Sequence, residues 1–339
     1  MERVLDPVTL TRRLVDIPSV TGEEHDVGLF LADYLDGLGW RVELQPVADR
    51  RNNLIAHLPD APPRIVFSTH MDTVPPFIES REDDQRIYGR GACDAKGIIA
   101  AQATAAERLR AEGIRCLGLL WTVDEELGSL GAQKANRHPL ASECRFMING
   151  EPTDNKLALG TKGALHVRLT AVGRAAHSAY PEQGESAIEK LLDALADVRR
   201  INWPTDPLLG PTTCNIGVIQ GGTRPNVVPD LARADLHIRL VTEADAVKRL
   251  IERAIAGRAA IEYVAASPVV RMTTVDGFDT CIVRFATDVP HLSNWGRPLL
   301  LGPGSILVAH TPHEQIAKNE LHRAVALYME LARRLRPAD

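Results

Sequence analysis

Apolar residues recur at helical spacing at both ends of the chain and once between them. Over residues 6–38 this spacing predicts two helices, which Pro18 separates. An Ala-rich helix is predicted over about 96–112, and an amphipathic helix over 321–335 closes the chain. Short apolar runs typical of strands lie at 41–44, 53–58, 65–67, 116–123, 145–148 and 298–301. Strands that alternate with helices predict an α/β domain with a mostly parallel, doubly wound sheet.

The pattern changes at about Gly163. Residues 164–172 alternate between apolar and polar, and the order strand, helix, strand, strand, helix, strand then extends to about residue 265. This order predicts a ferredoxin-like α+β unit. Because a strand-like run resumes at 298–301, we interpret the unit as an insert. The predicted organisation is a first domain in two parts, 1–162 and 267–339, and an inserted domain over 163–266.

Composition and charge exclude several classes of protein. The chain has 339 residues, 45% of them hydrophobic and 24% charged, with a net charge of −5. The excess of acidic residues argues against a nucleic-acid partner. The longest clean apolar run, 117–123, is too short to span a membrane. The first residues lack a signal-peptide core, and the five cysteines are scattered without C-x-x-C spacing, so we expect a cytoplasmic protein.

Polar side chains follow the buried run at 65–67. His70 and Asp72 come just after it, and Asp94 lies in a glycine-framed turn before the Ala-rich helix. One imidazole and two carboxylates that converge at a strand end and a helix start can build a metal site. The alternative is a polar loop with a helix-capping aspartate.

Three glutamates have the same relation to predicted strands. Glu125 and Glu126 follow the run at 116–123, and Glu151 follows the run at 145–148. In a parallel sheet, ligands bind beyond the carboxyl ends of the strands. The shared position therefore favours one site over several unrelated loops.

These residues have the composition of a two-metal hydrolase centre. Two divalent cations roughly 3.5–4 Å apart activate water and polarise a carbonyl, and a bridging carboxylate offsets their repulsion. Asp94 is the candidate bridge. The further ligands, about one imidazole and one carboxylate for each cation, are His70, His310, Glu126 and Glu151. Asp72 is placed to accept the second N–H of the His70 imidazole.

The adjacent glutamates cannot both point the same way from an extended turn. One of Glu125 and Glu126 can bind a cation while the other acts as general base. The alternative is a solvated turn, which the neighbouring candidate ligands make less favourable.

Seven motifs resemble those of a known family. They are STHMDTVP (68–75), GRGACDAKGIIAA (89–101), TVDEELGSLGA (122–132), NGEPT (149–153), GRAAHSAYPEQGESAI (173–188), GGTRPNVVPD (221–230) and GPGSILVAHTPHE (302–314). In this order they resemble the dinuclear zinc amidohydrolases, which include acetylornithine deacetylase, succinyl-diaminopimelate desuccinylase, aminoacylase and glutamate carboxypeptidase. The resemblance extends over almost the whole chain.

The resemblance implies a role for each candidate ligand. It implies Asp94 as the bridge, His70 with Glu151 on one zinc ion, and Glu126 with His310 on the other. Co²⁺ is expected to be able to replace zinc.

The resemblance also implies the catalytic groups. It implies Glu125 as the general base. It also implies a cis peptide bond directly after Asp94, the bridging ligand. Asp72 is expected to support catalysis from beside His70.

For the inserted domain, the resemblance implies a lid that also dimerises. It implies His177 as an oxyanion donor that reaches the partner's site in a homodimer, and Asn226 and Arg239 as contacts to the substrate. Arg239 could bind a free carboxylate. Arg224 could also do so, although a solvated loop arginine is the simpler interpretation.

Two further features concern the last part of the chain. Gly304 would offer a backbone N–H to the substrate. His313 is the rival of His310 as a ligand, and the A-H-x-x-x-E match favours His310. The segment 272–298 is shorter than relatives usually carry, so we expect a helix that often forms one wall of the pocket to be missing.

Three functions are compatible with these residues. The first is release of an amino acid from an N-acyl amino acid, most like an acetylornithine or acetylcitrulline deacetylase. The second is a dipeptidase, carboxypeptidase or succinyl-diaminopimelate desuccinylase on the same scaffold. The third, a catalytically silent binding protein, is disfavoured because every catalytic position is filled. A small substrate with a free carboxylate is expected in the first two cases.

Overall fold

The structure is a computed structural model that describes residues 4–336. Up to residue 161 the elements are α1 (Pro7–Val15), α2 (His25–Gly37), β1 (Arg41–Ala48), β2 (Arg51–His57), β3 (Ile65–His70), β4 (Arg81–Glu82), β5 (Arg86–Tyr88), α3 (Lys96–Ala111), β6 (Leu117–Thr122), α4 (Leu130–Ala135), a 3-10 helix (Pro139–Glu143), β7 (Phe146–Asn149) and β8 (Leu157–Thr161).

The middle of the chain is richer in strands. It contains β9 (Gly163–Val172), β10 (Ala176–His177), a 3-10 helix (Pro181–Gln183), α5 (Ala187–Arg199), β11 (Thr205–Asp206), β12 (Gly210–Pro211), β13 (Thr213–Gly221), β14 (Val227–Val228), β15 (Leu231–Leu240), α6 (Ala244–Ile255), β16 (Ala260–Ser267) and β17 (Val270–Arg271). The last part contains β18 (Thr280–Val283), a 3-10 helix (Val289–His291), β19 (Arg297–Leu300), β20 (Gln315–Ala317) and α7 (Lys318–Leu335).

The described chain divides into two compact units. The first extends to Leu159 and includes Met272–Cys281 and the chain from Thr287 onward. The second comprises Gly160–Arg271 and Ile282–Ala286. The insert predicted over 163–266 therefore omits the flanking residues and the segment 282–286, which fold with the second unit.

The first unit is organised around a six-stranded sheet in the order β1-β2-β6-β3-β7-β19. β6, β3, β7 and β19 are parallel neighbours, whereas β2 is antiparallel to both β1 and β6. Every residue of β3 and β6 is buried, which explains their continuous apolar runs. The carboxyl ends of the four parallel strands consequently share one edge of the sheet.

The helices of the first unit are amphipathic or, in α3, almost fully buried. α3 is Ala-rich and packs against α1 and α7 as well as β3 and β6. Small side chains allow this close approach on several faces. The core includes Phe67, whose ring contacts Tyr328 edge to face with centroids 5.4 Å apart.

The second unit has a four-stranded antiparallel sheet in the order β13-β15-β9-β16. Along β9 buried and half-buried residues alternate, so one face packs into the core while the other stays accessible. The helices α5 and α6 contact each other, and their apolar faces belong to this core. The fold class, an α/β sheet domain with an inserted α+β domain, is confirmed, and the strand order is that of a ferredoxin-like unit.

Candidate metal centre

The carboxyl edge of the main sheet carries most of the predicted site residues. His70 is the last residue of β3, Glu125 and Glu126 follow β6, and Glu151 follows β7. Because β6, β3 and β7 are adjacent and parallel, these residues emerge at the same edge. Asp94 lies two residues before α3, and the peptide bond that follows it is cis, as the resemblance implies.

Asp94 lies between two imidazoles. Its Oδ1 is 3.0 Å from Nε2 of His70, and its Oδ2 is 3.3 Å from Nε2 of His310. The same nitrogen of His310 is 2.9 Å from Oε1 of Glu126. Two groups that could hold a metal ion therefore share Asp94: one adds His70 and Glu151, the other Glu126 and His310. A carboxylate that faces one imidazole with each oxygen has the geometry of a bridge.

The orientation of His70 leaves Nε2 directed at Asp94. Nδ1 lies 2.9 Å from the main-chain carbonyl of Asp72, which accepts its proton and leaves the other nitrogen as the ligand atom. Oδ1 of Asp72, the acceptor expected from the sequence, is farther away, at 3.5 Å. The backbone of Asp72 is thus the closer partner, while its carboxylate has other contacts.

The Asp72 carboxylate holds the turn that carries the two glutamates. Oδ1 accepts the backbone N–H of Glu125 and Oδ2 that of Glu126, each at 3.1 Å. The hydroxyl of Thr21 donates to Oδ2 at 2.9 Å. Asp72 is fully buried, so these bonds replace the water that its charge would otherwise bind. One buried carboxylate therefore places both glutamates.

A second group anchors the same turn from the other side. Arg51 donates through Nη2 to Glu24 at 2.6 Å and to Asp124 at 2.8 Å. Asp124 has a φ of 71°, a left-handed conformation that few non-glycine residues adopt. The Arg51 contact helps to hold this turn, which places Glu125 three residues beyond the end of β6. None of the three residues was predicted, because their pairing joins distant parts of the chain.

Burial and neighbouring charges raise the pKa values of three groups of the centre. Burial and the charge of Glu151 raise the pKa of Glu125 well above its ordinary value. Burial likewise raises the pKa of Glu151, with Asp94 adding to the effect. Bonds to Asp94 and Glu126 raise the pKa of His310 to about 10. The carboxylates are too crowded to share the site at full negative charge without a compensating cation.

The donor set fits divalent cations. Oε1 of Glu151 is buried and has no hydrogen-bond partner among the described residues, so a ligand atom is available there. Imidazole nitrogens and carboxylate oxygens are ligands that zinc accepts. Cations at this position would also offset the negative charge that raises the pKa values of the glutamates.

A further carboxyl group beside the centre was missed. Asp288 precedes the 3-10 helix Val289–His291 and is buried. Its Oδ2 accepts from the hydroxyl of Thr122 at 2.7 Å, and its charge acts on Glu125 and Glu151. The shortened segment 272–298 thus supplies one polar group to this region. Asp288 could not be predicted, because it is an isolated aspartate in a segment without a regular hydrophobic pattern.

The remaining candidates of the first unit have different surroundings. Gly304 is buried with a φ of 81°, and an added Cβ would lie 2.5 Å from the sulfur of Cys93. Its position therefore requires glycine. His313 is exposed and belongs to neither group of potential ligands among the described residues, which favours His310.

The candidates of the second unit are exposed or half-buried. His177 is exposed on β10, which pairs with β14, and Ser178 next to it donates its N–H to the carbonyl of Asn226 at 3.0 Å. Arg239 lies on β15, half-buried, and burial lowers its pKa. No ion pair of Arg239 occurs within residues 4–336. Arg224 is exposed in the loop before β14.

None of the helices within residues 4–336 is long and apolar enough to cross a membrane.

Comparisons with known proteins agree on one family. The model of peptidase family M20/M25/M40 matches residues 66–334. A probable carboxypeptidase of Aspergillus terreus is 39% identical over 94% of this chain and 84% of its own length. A peptidase M20 domain-containing protein of Schizosaccharomyces pombe is 36% identical over 96% of this chain and 83% of its own length.

Solved structures show the same fold at lower identity. A tripeptidase of Staphylococcus aureus has a TM-score of 0.79 and 21% identity, and covers 98% of this chain and 100% of its own. A dinuclear metal-binding peptidase of the M20 family from Bacillus subtilis has a TM-score of 0.70 and 16% identity, with 96% of both chains covered.

Proposed function

Because the chain belongs to peptidase family M20/M25/M40, a family of metallo-hydrolases, we propose that it hydrolyses an amide bond to the amino group of an amino acid whose carboxylate is free. The amino acid is the amine product of the reaction. The acyl side of the bond is either a simple acyl group or another amino acid.

One observation carries this proposal: the two groups of potential ligands that share Asp94. We assign His70 and Glu151 to one Zn²⁺ and Glu126 and His310 to the other, with Co²⁺ able to substitute. Bound there, two divalent cations lower the pKa of a water molecule and polarise the substrate carbonyl.

Glu125 is the proposed general base. Its backbone is held by Asp72, and burial raises its pKa well above the ordinary value, which is the direction that favours a general base. It would take a proton from the attacking water and deliver it to the departing amine. Glu126, held by the same carboxylate, points to His310 instead, which separates the two roles.

The substrate carboxylate is assigned to Arg239, with Asn226 as a further contact. A guanidinium that is half-buried and forms no ion pair within residues 4–336 retains its donors for a ligand. The backbone N–H of Gly304 is a third proposed contact. The name of the Aspergillus terreus relative, a probable carboxypeptidase, favours a peptidase over a deacylase. An N-acyl amino acid deacylase, most like acetylornithine deacetylase, is the alternative.

A substrate panel distinguishes these activities. Release of free amine would be measured with zinc-loaded protein on N-acetylornithine, N-acetylcitrulline, N-succinyl-diaminopimelate, a series of dipeptides and longer peptides blocked at the N-terminus. A carboxypeptidase cleaves the blocked peptides, a dipeptidase only the free dipeptides, and a deacylase the acyl amino acids. Failure on every compound with a free carboxylate would refute the proposal.

We also propose a homodimer that forms through the second unit. β13 is an edge strand of its sheet, with Val218 and Ile219 exposed. An open edge with apolar side chains is suited to pairing with a second copy. In this arrangement His177 would act as oxyanion donor in the partner's site. The scattered cysteines support a cytoplasmic location.

A further inference from the structure

Glu314 is a buried carboxylate that the proposed reaction does not use. It lies four residues after His310, and both its oxygens are bonded. Oε1 accepts three backbone N–H groups, from Gly91 at 2.9 Å, Cys93 at 3.2 Å and Asp94 at 3.1 Å. Oε2 accepts from Nη1 of Arg90 at 2.6 Å. The side chain thus binds four of the five residues from Arg90 to Asp94.

Other contacts join the same two segments. The N–H of Gly89 donates to the carbonyl of Glu314 at 3.1 Å, and Nη1 of Arg90 donates to the carbonyl of Thr311 at 3.3 Å. The thiol of Cys93 donates to the carbonyl of Ser305 at 3.5 Å. The turn 89–94 and the loop 302–314 are therefore bonded to each other along their length.

This arrangement answers a specific structural need. The turn directs three N–H groups to one point, where no helix or strand accepts them, and buried N–H groups require an acceptor. A carboxylate is suited to three donors at once, and Arg90 balances its charge. Since one of the donors belongs to Asp94 itself, the position of Glu314 determines the position of the Asp94 backbone.

The same side chain also constrains His310. This residue has a φ of 62°, a conformation that a non-glycine residue keeps only when its surroundings hold it. Glu314, bonded to the opposite turn, fixes the chain four residues beyond it. A shift of Glu314 would therefore change the separation of Asp94 and His310, which is now 3.3 Å between Oδ2 and Nε2.

We propose that Glu314, paired with Arg90, is a positioning residue that sets the metal affinity of the centre by holding Asp94 and His310 in register. The proposal rests on the metal site assigned under the proposed function. Glu314 contacts neither substrate nor cation in this scheme, and it acts through the two ligands.

The test is the metal affinity of Glu314→Gln. A glutamine can still accept N–H groups through its oxygen, but its amide nitrogen would face Nη1 of Arg90, so two donors would oppose each other. Loss of a partner behind a metal ligand typically weakens affinity by about 10–100-fold. We expect a loss in this range for Zn²⁺ and Co²⁺, measured on purified protein by competition with a chromophoric chelator. The absorption spectrum of bound Co²⁺ should change as well.

The control separates positioning from general stability. Leu35→Ala removes a fully buried side chain of α2, a helix that packs on β1 and β2, so it should lower the melting temperature while leaving metal affinity unchanged. Both variants are measured well below their melting temperatures. Arg90→Lys keeps the bonds of Glu314 to the turn but loses the planar fork, and we expect a smaller loss of affinity.

The outcomes are distinct. Wild-type affinity in folded Glu314→Gln overturns the inference while leaving the proposed function intact. A wild-type protein that binds no metal refutes the proposed function itself. If Glu314→Gln does not fold, Arg90→Lys decides: reduced affinity supports the inference, and unchanged affinity with a lowered melting temperature shows that the pair is only structural.

Discussion

The candidate residues of the two units differ in how firmly they are held. In the first unit, Asp72 and Asp94 are buried and each is bonded on both oxygens. In the second unit, His177 and Asn226 are exposed and Arg239 is half-buried. The first set is preorganised without any ligand, whereas the second retains donors for a ligand or a partner chain. Groups that perform chemistry need fixed geometry, and groups that select a substrate need free hydrogen-bonding capacity.

The two sets also differ in charge. Carboxylates crowd the first, where burial raises the pKa values of Glu125 and Glu151. On the accessible face of the second unit's sheet, His237 lies directly opposite His166, and Arg239 lies two residues along the same strand. The first set is suited to cations, whereas in the second Arg239 can pair with an anion such as a substrate carboxylate, because His166 is already bonded to Asp235 at 2.8 Å.

Metal removal should have the largest effect on the rate of hydrolysis, because the residues of the first set are arranged to bind the metal ions. Treatment with a strong chelator followed by gel filtration should abolish hydrolysis of the best substrate of the panel, and addition of Zn²⁺ or Co²⁺ should restore it. Full turnover by protein shown to be metal-free by elemental analysis would contradict the proposed mechanism.

Glu125→Ala should reduce the rate by about 10²–10⁴-fold, the usual contribution of a general base. Metal content should remain near two ions per chain, because this side chain is not an assigned ligand. Glu126→Ala is the matched comparison and should lose metal instead. If elemental analysis gives the opposite result, the roles of the adjacent glutamates are exchanged.

His177→Ala should reduce the rate by about 10²–10³-fold, the effect of losing one oxyanion donor. The dimer is then tested by mixing inactive His177→Ala and Glu125→Ala chains under conditions that exchange subunits. If His177 acts in the partner's site, each hybrid dimer regains one site with both residues intact. If it acts within its own chain, both sites of the hybrid remain defective. Absence of recovered activity, with exchange demonstrated, would exclude the trans arrangement.

Arg239→Ala should have the smallest effect, about 1–3 kcal/mol or roughly 5–150-fold in kcat/KM, because one charge-assisted contact is lost. The loss should be large on a free acid and small on its methyl ester. Arg233→Ala is the control, since Arg233 is an exposed arginine of the same strand. Equal losses on acid and ester would mean that Arg239 is structural.

The sequence by itself determined the elements and the edge at which the candidate ligands appear. Continuous apolar runs indicate buried parallel strands, and residues after such strands meet at one edge, so the proximity of His70, Glu126 and Glu151 followed from pattern alone. The strand and helix order of the insert was sufficient for its ferredoxin-like topology, because β9 and its neighbours alternate clearly.

Only the tertiary structure decided how those ligands are held. The bonds from Glu314 to the turn 89–94 join positions more than 200 residues apart, as the 220-residue separation from Asp94 shows. The same is true of Thr122 with Asp288, which are 166 residues apart. The periodicity of apolar residues along the chain cannot indicate such long-range hydrogen bonds. The position of a buried carboxylate depends on hydrogen-bond donors that come from distant parts of the sequence. Local pattern thus sets where the chemistry can occur, and long-range hydrogen bonds set the geometry of the centre.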